Sequence, residues 1–293
     1  MPAIIIDGRK TAQKLQEQLK KRIAKLKEKG IIPCLGVILV GENPASLSYI
    51  KGKKRALIET GMENRYIQLP SETPEDELLG IIASMNRDPQ INGILVQFPL
   101  PSHISEDRVI SAIDPAKDVD GFHPISAGNL LLGKPGFLPC TPLGIIHLLR
   151  EWDIPTAGKH VVVLGRSNIV GKPMASLLIR KEQNATVTIC HTGTSDLPYF
   201  TRQADILIAA AGSPALVGKD MVKEGAAVID VGVNRMEDKS KKTGFRLRGD
   251  VDYEGLLGKA GWISPVPGGV GPMTIAMLMH NLVDAAEGIH SPI

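Results

Sequence analysis

Tyr49 and Lys53 stand four residues apart in ASLSYIKGK. On a helix that spacing puts both side chains on one face. Ile50, Ala56 and Leu57 are the helical neighbours of Lys53, an apolar setting in which desolvation disfavours an ammonium ion. A lysine so placed can act as a base near neutral pH. A lone Tyr-x-x-x-Lys is also a common chance pattern. Gln97 follows an apolar run, 93–96, and precedes Phe98-Pro99-Leu100-Pro101. An amide at the carboxyl end of a parallel strand either lines a ligand cleft or bonds to loop backbone. Asp120 lies in Lys117-Asp118-Val119-Asp120-Gly121. An Asp-Gly pair makes a turn, which its residue types favour. In a cleft the same carboxylate would accept two N–H bonds from a heterocycle such as a pterin.

A second chemistry is written into residues 159–192, KHVVVLGRSNIVGKPMASLLIRKEQNATVTICHT. A β-branched run ends at Gly165, a helical pattern follows from 173 to 180, and a second β-branched run closes at Cys190. Strand, glycine loop, helix and strand make up half of a dinucleotide-binding fold. Glycine lets the backbone approach a pyrophosphate, and the helix start offers N–H groups and a positive dipole end. The loop departs from G-x-G-x-x-G: Ser167 stands at the second glycine, and one extra residue precedes Gly171. No acidic residue follows the second strand to hold ribose hydroxyls. Arg166 and Thr192 could hold a 2′-phosphate instead, which points to NADP.

These residues need elements to carry them, and 293 residues suffice for about two domains. Strand-like runs at 34–40, 65–69 and 93–97 alternate with helical patterns at 9–29, 45–59 and 74–85, which implies a parallel sheet. Residues 114–140 are dense in Gly and Pro and read as loop and domain connection. A helix at 142–152 leads to the strand at 160. Further strands are expected at 206–211, 227–231 and 262–266. Residues 235–246 read as a charged exposed loop, and 273–286 as a long apolar helix. The expected fold is α/β, with an N-terminal α/β catalytic domain and a Rossmann-type doubly wound dinucleotide-binding domain, and a cleft between them. The boundaries are 1–120, joined by a C-terminal helix 272–288, and 121–271.

Composition narrows the function classes. A net charge of +3 is too small to argue for nucleic acid. No apolar run spans a membrane, and 1–6 is too short for a signal peptide. Cys34, Cys140 and Cys190 show neither metal spacing nor a paired framework, so no metal site and a reducing, cytoplasmic setting are expected.

Taken together, ASLSYIKGK, GILVQFPLP, PAKDVDGFHP, PCTP, GRSNIVGKPM and PVPGGVGPMTIAMLM cover nearly the whole chain. In these motifs the chain resembles the bifunctional methylenetetrahydrofolate dehydrogenase/methenyltetrahydrofolate cyclohydrolase family of one-carbon metabolism, in its compact form. The resemblance implies hydride transfer from 5,10-methylenetetrahydrofolate to NADP+, then hydrolysis of the methenyl cation to 10-formyltetrahydrofolate. It makes Lys53 the base or water-positioning group. Tyr49 would position substrate and lysine, Gln97 would hydrogen-bond Lys53, and Asp120 would read the pterin. Gly165, Arg166, Ser167, Thr192 and Val233 map to NADP positions, and Pro267, Gly268, Gly269 and Val270 to the wall of the folate cleft. Lys51, Lys54 and Arg55 either attract the glutamyl carboxylates of folate or are solvated surface. A homodimer is implied too. Some relatives use NAD.

Two other readings compete. One is a nicotinamide dehydrogenase of a small alcohol or hydroxy acid, for which His123, His147 and His191 are available but lack a clear acid partner. Short-chain dehydrogenases, which use a Tyr–Lys pair, carry it C-terminal to their glycine loop, unlike this chain. The other is a non-catalytic nucleotide-binding module, with Tyr49, Lys53 and Gln97 dispersed.

Overall fold

A computed structural model describes residues 2–238, 240 and 244–289. In chain order the elements are β1 (Ile4–Ile5), α1 (Gly8–Glu28), β2 (Cys34–Val40), α2 (Pro44–Thr60), β3 (Glu63–Leu69), α3 (Glu75–Arg87), β4 (Gly93–Val96), α4 (Glu106–Ala112), α5 (Pro124–Leu132) and α6 (Cys140–Glu151). They continue with β5 (His160–Leu164), α7 (Gly171–Leu178), β6 (Thr186–Cys190), α8 (Leu197–Thr201), β7 (Ile206–Ala209), β8 (Ala227–Asp230), β9 (Asn234–Glu237), β10 (Phe245–Arg248), α9 (Tyr253–Leu256), β11 (Trp262–Ile263) and α10 (Val270–Glu287). The chain divides into two compact units: Met1–Ala12 with Thr141–Thr274, and Gln13–Cys140 with Ile275–Ile293.

The second of these units is built on a three-stranded parallel sheet in the order β3-β2-β4. Every residue of β2, CLGVILV, is buried, as expected of a central strand covered on both faces. The chain goes from β2 out to β3, then back across β2 to β4. The strand order therefore reverses beside β2, and ligands of open parallel sheets bind at the carboxyl ends of strands at such a point.

The first unit is built on a six-stranded sheet, β1-β11-β8-β7-β5-β6, whose strands all pair in parallel. The chain leaves β5 for β6 and returns across β5 to β7, so the switch lies at the carboxyl end of β5. A packed core of Val162, Leu164, Leu207, Val228 and Ile263 lies against this sheet.

The outline matches the sequence reading, with differences that have physical causes. β1 pairs with β11, at Ile4 with Trp262 and Ile5 with Ile263, so the first residues belong to the six-stranded unit rather than to an N-terminal domain of 1–120. Residues 121–140 belong with the three-stranded unit, where Gly121 packs on the backbone of Leu138 and Pro139. The expected loop 114–140 contains α5. His123 Nδ1 caps it by accepting from the Ile125 N–H at 3.0 Å, Pro124 starts it, and Gly133 ends it at φ 67°. The Gly and Pro that read as loop are its start and stop signals. The charged excursion 235–246 is an antiparallel pair, β9 with β10; its residues 239 and 241–243 lie outside the described residues.

Candidate active site

Lys53 is fixed by both of its neighbouring turns. Ile50, Ala56 and Leu57 are buried and lock α2 down, which leaves Lys53 half-buried on the adjoining strip. Its ammonium donates to Gln97 Oε1 at 3.2 Å. Gln97 directly follows β4, and its own N–H extends the sheet ladder to Ile38 C=O at 2.9 Å. The amide is held at its other end as well: Nε2 donates to Phe98 C=O at 2.8 Å, so Oε1 is the atom left for Lys53. The partner is a neutral amide rather than a carboxylate, so it orients Nζ without pairing its charge. Tyr49, one turn before Lys53, is 43% exposed and available to a ligand.

Asp120 follows fully buried Val119 in a turn. The turn itself is made by other groups. Gly121 takes φ 75° and donates to Asp118 C=O at 2.9 Å. The Asp118 carboxylate accepts from the Phe122 and His123 N–H groups at 3.1 and 2.9 Å and from Ser126 Oγ at 2.7 Å. Burial pushes Asp118 up to about 6, against the pull of those three donors and with the nearby Asp120 charge adding to the rise. With the turn built by Asp118, the Asp120 carboxylate is not spent on it. It lies within hydrogen-bond reach of the Cys140 thiol, which burial first, then Asp120, raises well above the ordinary thiol range, while the Lys53 charge opposes. Lys53, Gln97, Asp120 and Cys140 thus form one neighbourhood. Asn281 of α10, buried, holds its rim: Nδ2 donates to Val119 C=O at 2.8 Å and to Leu138 C=O at 3.0 Å.

The second constellation sits at the carboxyl end of β5. Gly165 has φ 116°, and a Cβ there would collide with the Ala210 carbonyl oxygen; a Cβ on Gly171 would strike the Gly165 carbonyl. Both positions require glycine, and the backbone is left bare where a flat, charged ligand would lie. Ser167 Oγ accepts from the Val170 and Gly171 N–H groups at 3.1 and 3.4 Å. Part of the free N–H array expected at the helix start is therefore satisfied internally by Ser167. Leu164 pairs with Cys190 across the sheet. Arg166 and Thr192 each follow two residues later and are exposed, so both flank the same sheet end. Val233, 44% exposed, follows β8.

Residues 6–120 match the tetrahydrofolate dehydrogenase/cyclohydrolase catalytic domain. Residues 139–290 match the NAD(P)-binding domain of the same enzymes. The chain belongs to the tetrahydrofolate dehydrogenase/cyclohydrolase family. It is 55% identical over 293 residues to the bifunctional protein FolD of Prosthecochloris aestuarii, covering 98% of this chain and 99% of that protein. The bifunctional enzyme of Campylobacter jejuni superposes with a TM-score of 0.93 at 49% identity, over 98% of this chain and 99% of its own. The Trypanosoma brucei dehydrogenase-cyclohydrolase, solved with NADP and an inhibitor, gives 0.94 at 38% identity over 98% of both chains.

Within this family frame the remaining predicted positions can be placed. Pro267, Gly268 and Gly269 precede α10, and Val270 opens it. Gly269 donates to Pro265 C=O at 2.8 Å, and α1 begins against this loop, since a Cβ on Gly8 would collide with the Gly269 carbonyl. By contacts this segment belongs to the six-stranded unit. Lys51, Lys54 and Arg55 are exposed, and Arg55 is paired with Glu59 at 2.6 Å. His123 and His191 are occupied in local turns, accepting from the Ile125 and Gly193 N–H groups. Among the described residues no group of three or more His, Cys, Asp or Glu could hold a metal ion, and no helix is long and apolar enough to cross a membrane. The sequence reading had not singled out Asp118 or Asn281. Asn281 had a signal, a lone amide in the apolar run MTIAMLMHNLV; Asp118 had none, because Asp118 and Asp120 are chemically alike in DVD.

Proposed function

We propose that the chain oxidises 5,10-methylenetetrahydrofolate to the methenyl form with NADP+ and hydrolyses that product to 10-formyltetrahydrofolate. The observation that carries the reading is the Lys53–Gln97 hydrogen bond at the carboxyl end of β4, in the unit whose sequence matches the family's catalytic domain. NADP+ supplies the hydride acceptor when bound. Gly165, Arg166, Ser167, Thr192 and Val233 would hold it, with Arg166 and Thr192 at the 2′-phosphate. The T. brucei relative solved with NADP supports NADP as the cofactor.

Tyr49 and Asp120 position the pterin. Loss of hydride leaves a cation shared between N5 and N10, so this step depends mainly on alignment. Hydrolysis needs a water delivered to the methenyl carbon. Lys53, as the neutral amine and held by Gln97, orients that water and takes one of its protons as the new C–O bond forms. The C–N5 bond then breaks as Lys53 returns that proton to N5, the formyl group stays on N10, and the remaining hydroxyl proton passes to solvent. The three cysteines are free and buried, which supports a reducing, cytoplasmic setting, and we expect the chain to pair with a second copy of itself.

The test is a spectrophotometric assay with methylenetetrahydrofolate, run in parallel with NADP+ and NAD+. Reduction of NADP+ followed by decay of the methenyl absorbance is expected. No turnover with either cofactor would sink the reading.

A further inference from the structure

Two aspartates lie beneath the dinucleotide loops and belong to no motif considered above. Asp230 ends β8 and is 3% exposed; Asp250, which follows β10, is 0% exposed. Each carboxylate is used on backbone. Asp230 Oδ1 accepts from the Gly232 and Asp250 N–H groups at 3.0 and 2.9 Å, and Oδ2 from the Val251 N–H at 3.1 Å. Asp250 Oδ2 accepts from Ala211 and Gly212 N–H at 2.7 and 2.8 Å, and Oδ1 from Asn234 Nδ2 at 2.9 Å. The two interlock: a Cβ on Gly232 would collide with the Asp250 carboxylate, and one on Gly249 with that of Asp230.

Asp250 therefore ties the loop after β7 to the loop after β8. The first loop starts at Ala210, whose carbonyl lies against Gly165 of the glycine loop. The second contains Val233. All three segments sit at carboxyl ends of strands β5, β7 and β8, which are neighbours in the sheet, and that is where dinucleotides bind in such sheets. A buried carboxylate is costly unless its oxygens are bonded. The core of the unit would be served equally well by an apolar side chain; a carboxylate instead fixes three specific donors in place.

We propose that Asp250 is a positioning residue for NADP+, holding the loops after β7 and β8 in the shape that accepts the cofactor. This rests on the dinucleotide assignment made under the proposed function.

The experiment compares wild type, Asp250→Asn and the exchange variant Asn234→Asp/Asp250→Asn. NADP+ affinity is measured by calorimetry, KM for NADP+ and kcat by dehydrogenase assay, methenyl hydrolysis without NADP+, and melting temperature. The single variant keeps the shape but places an amide donor against the Asn234 Nδ2 donor; the exchange restores an acceptor opposite it, at the loss of the Asn234 bond to Arg248 C=O. The expected result is a Kd and KM for NADP+ raised about tenfold or more in Asp250→Asn, with hydrolysis retained. In the exchange variant a large part of that loss returns. Unchanged Kd in a folded single variant overturns the proposal. So does a loss of hydrolysis and dehydrogenase in equal proportion in both variants, which would mark a purely structural role. Wild type that hydrolyses the methenyl substrate yet binds no dinucleotide removes the cofactor reading itself, a result visible before any variant is made.

Discussion

Among the described residues Lys53 donates to an amide of fixed orientation rather than to an acid, so its substitution separates the two half-reactions. Replacing it with Met keeps the apolar stem and removes the amine. Methenyl hydrolysis should fall about 10²–10⁴-fold, the usual contribution of a positioned base. NADP+ reduction, which depends on alignment, should remain measurable, and parallel stopped-flow and steady-state assays would read the split. Equal loss of both activities would mean that Lys53 only holds substrate. Asp118 makes a different kind of prediction. Its folded-state value of about 6 lies above the ordinary aspartate value of 3.8, because burial disfavours the charge. A group shifted upward in this way contributes stability fully below the unfolded value, and that contribution is lost as pH rises through about 4 to 6. Carboxyl-carbon NMR should place its midpoint near 6, and the urea midpoint of the wild type should carry a component that declines over that window. A midpoint near 4 would show that the three donors outweigh burial.

At the scale of elements, the long regular pieces were readable because period and burial agree. β2 is an unbroken apolar run and is buried throughout; α1 carries Leu15, Leu19, Ile23 and Leu26 on one buried face. α5 was hidden because it buries only Ser126 and Leu130 and leaves Leu131 and Leu132 exposed, so no apolar stripe announces it. β9 and β10 were hidden because each is only four residues long, NRME and FRLR, with none fully buried and a charged residue at every exposed position. In the candidate site, Lys53 and Gln97 were legible through their elements, one on a helix face and one at a strand end. The division of labour between Asp118 and Asp120 was not, since it depends on which carboxylate faces the turn. Asn281 shows what α10 does for the site. Asn281→Leu would leave the buried Leu138 carbonyl without its amide donor and the Val119 carbonyl with only the weak Cys140 thiol at 3.3 Å, at a cost of about 1–3 kcal/mol. A lower urea midpoint is expected, with the methenyl hydrolysis rate reduced because Asp120 adjoins Val119. Unchanged stability would mean that both carbonyls find water.

For the molecule as a whole, the order of segments matters as much as their folds. Each unit is assembled from two stretches of chain, Met1–Ala12 with Thr141–Thr274 and Gln13–Cys140 with Ile275–Ile293. A fragment of 13–140 lacks the α10 amide that bonds Val119 and Leu138. It also lacks Leu282, which packs near Gly93 of β4. A fragment of 141–274 lacks β1, so the edge of β11 is uncovered, and open edges invite aggregation. Neither fragment is expected to give a dispersed amide NMR spectrum, whereas the chain with both stretches joined should. A well-folded 13–140 fragment would refute this.

The interleaving also bears on how the chain is made. During synthesis, domains normally fold in turn as they leave the ribosome. Here β1 is made long before its partner β11, and the strands of the other sheet are made long before α10. A nascent chain stalled before β11 would leave β1 unpaired and the three-stranded unit without α10 at once, so this protein is expected to lean on holding chaperones until α10 is released.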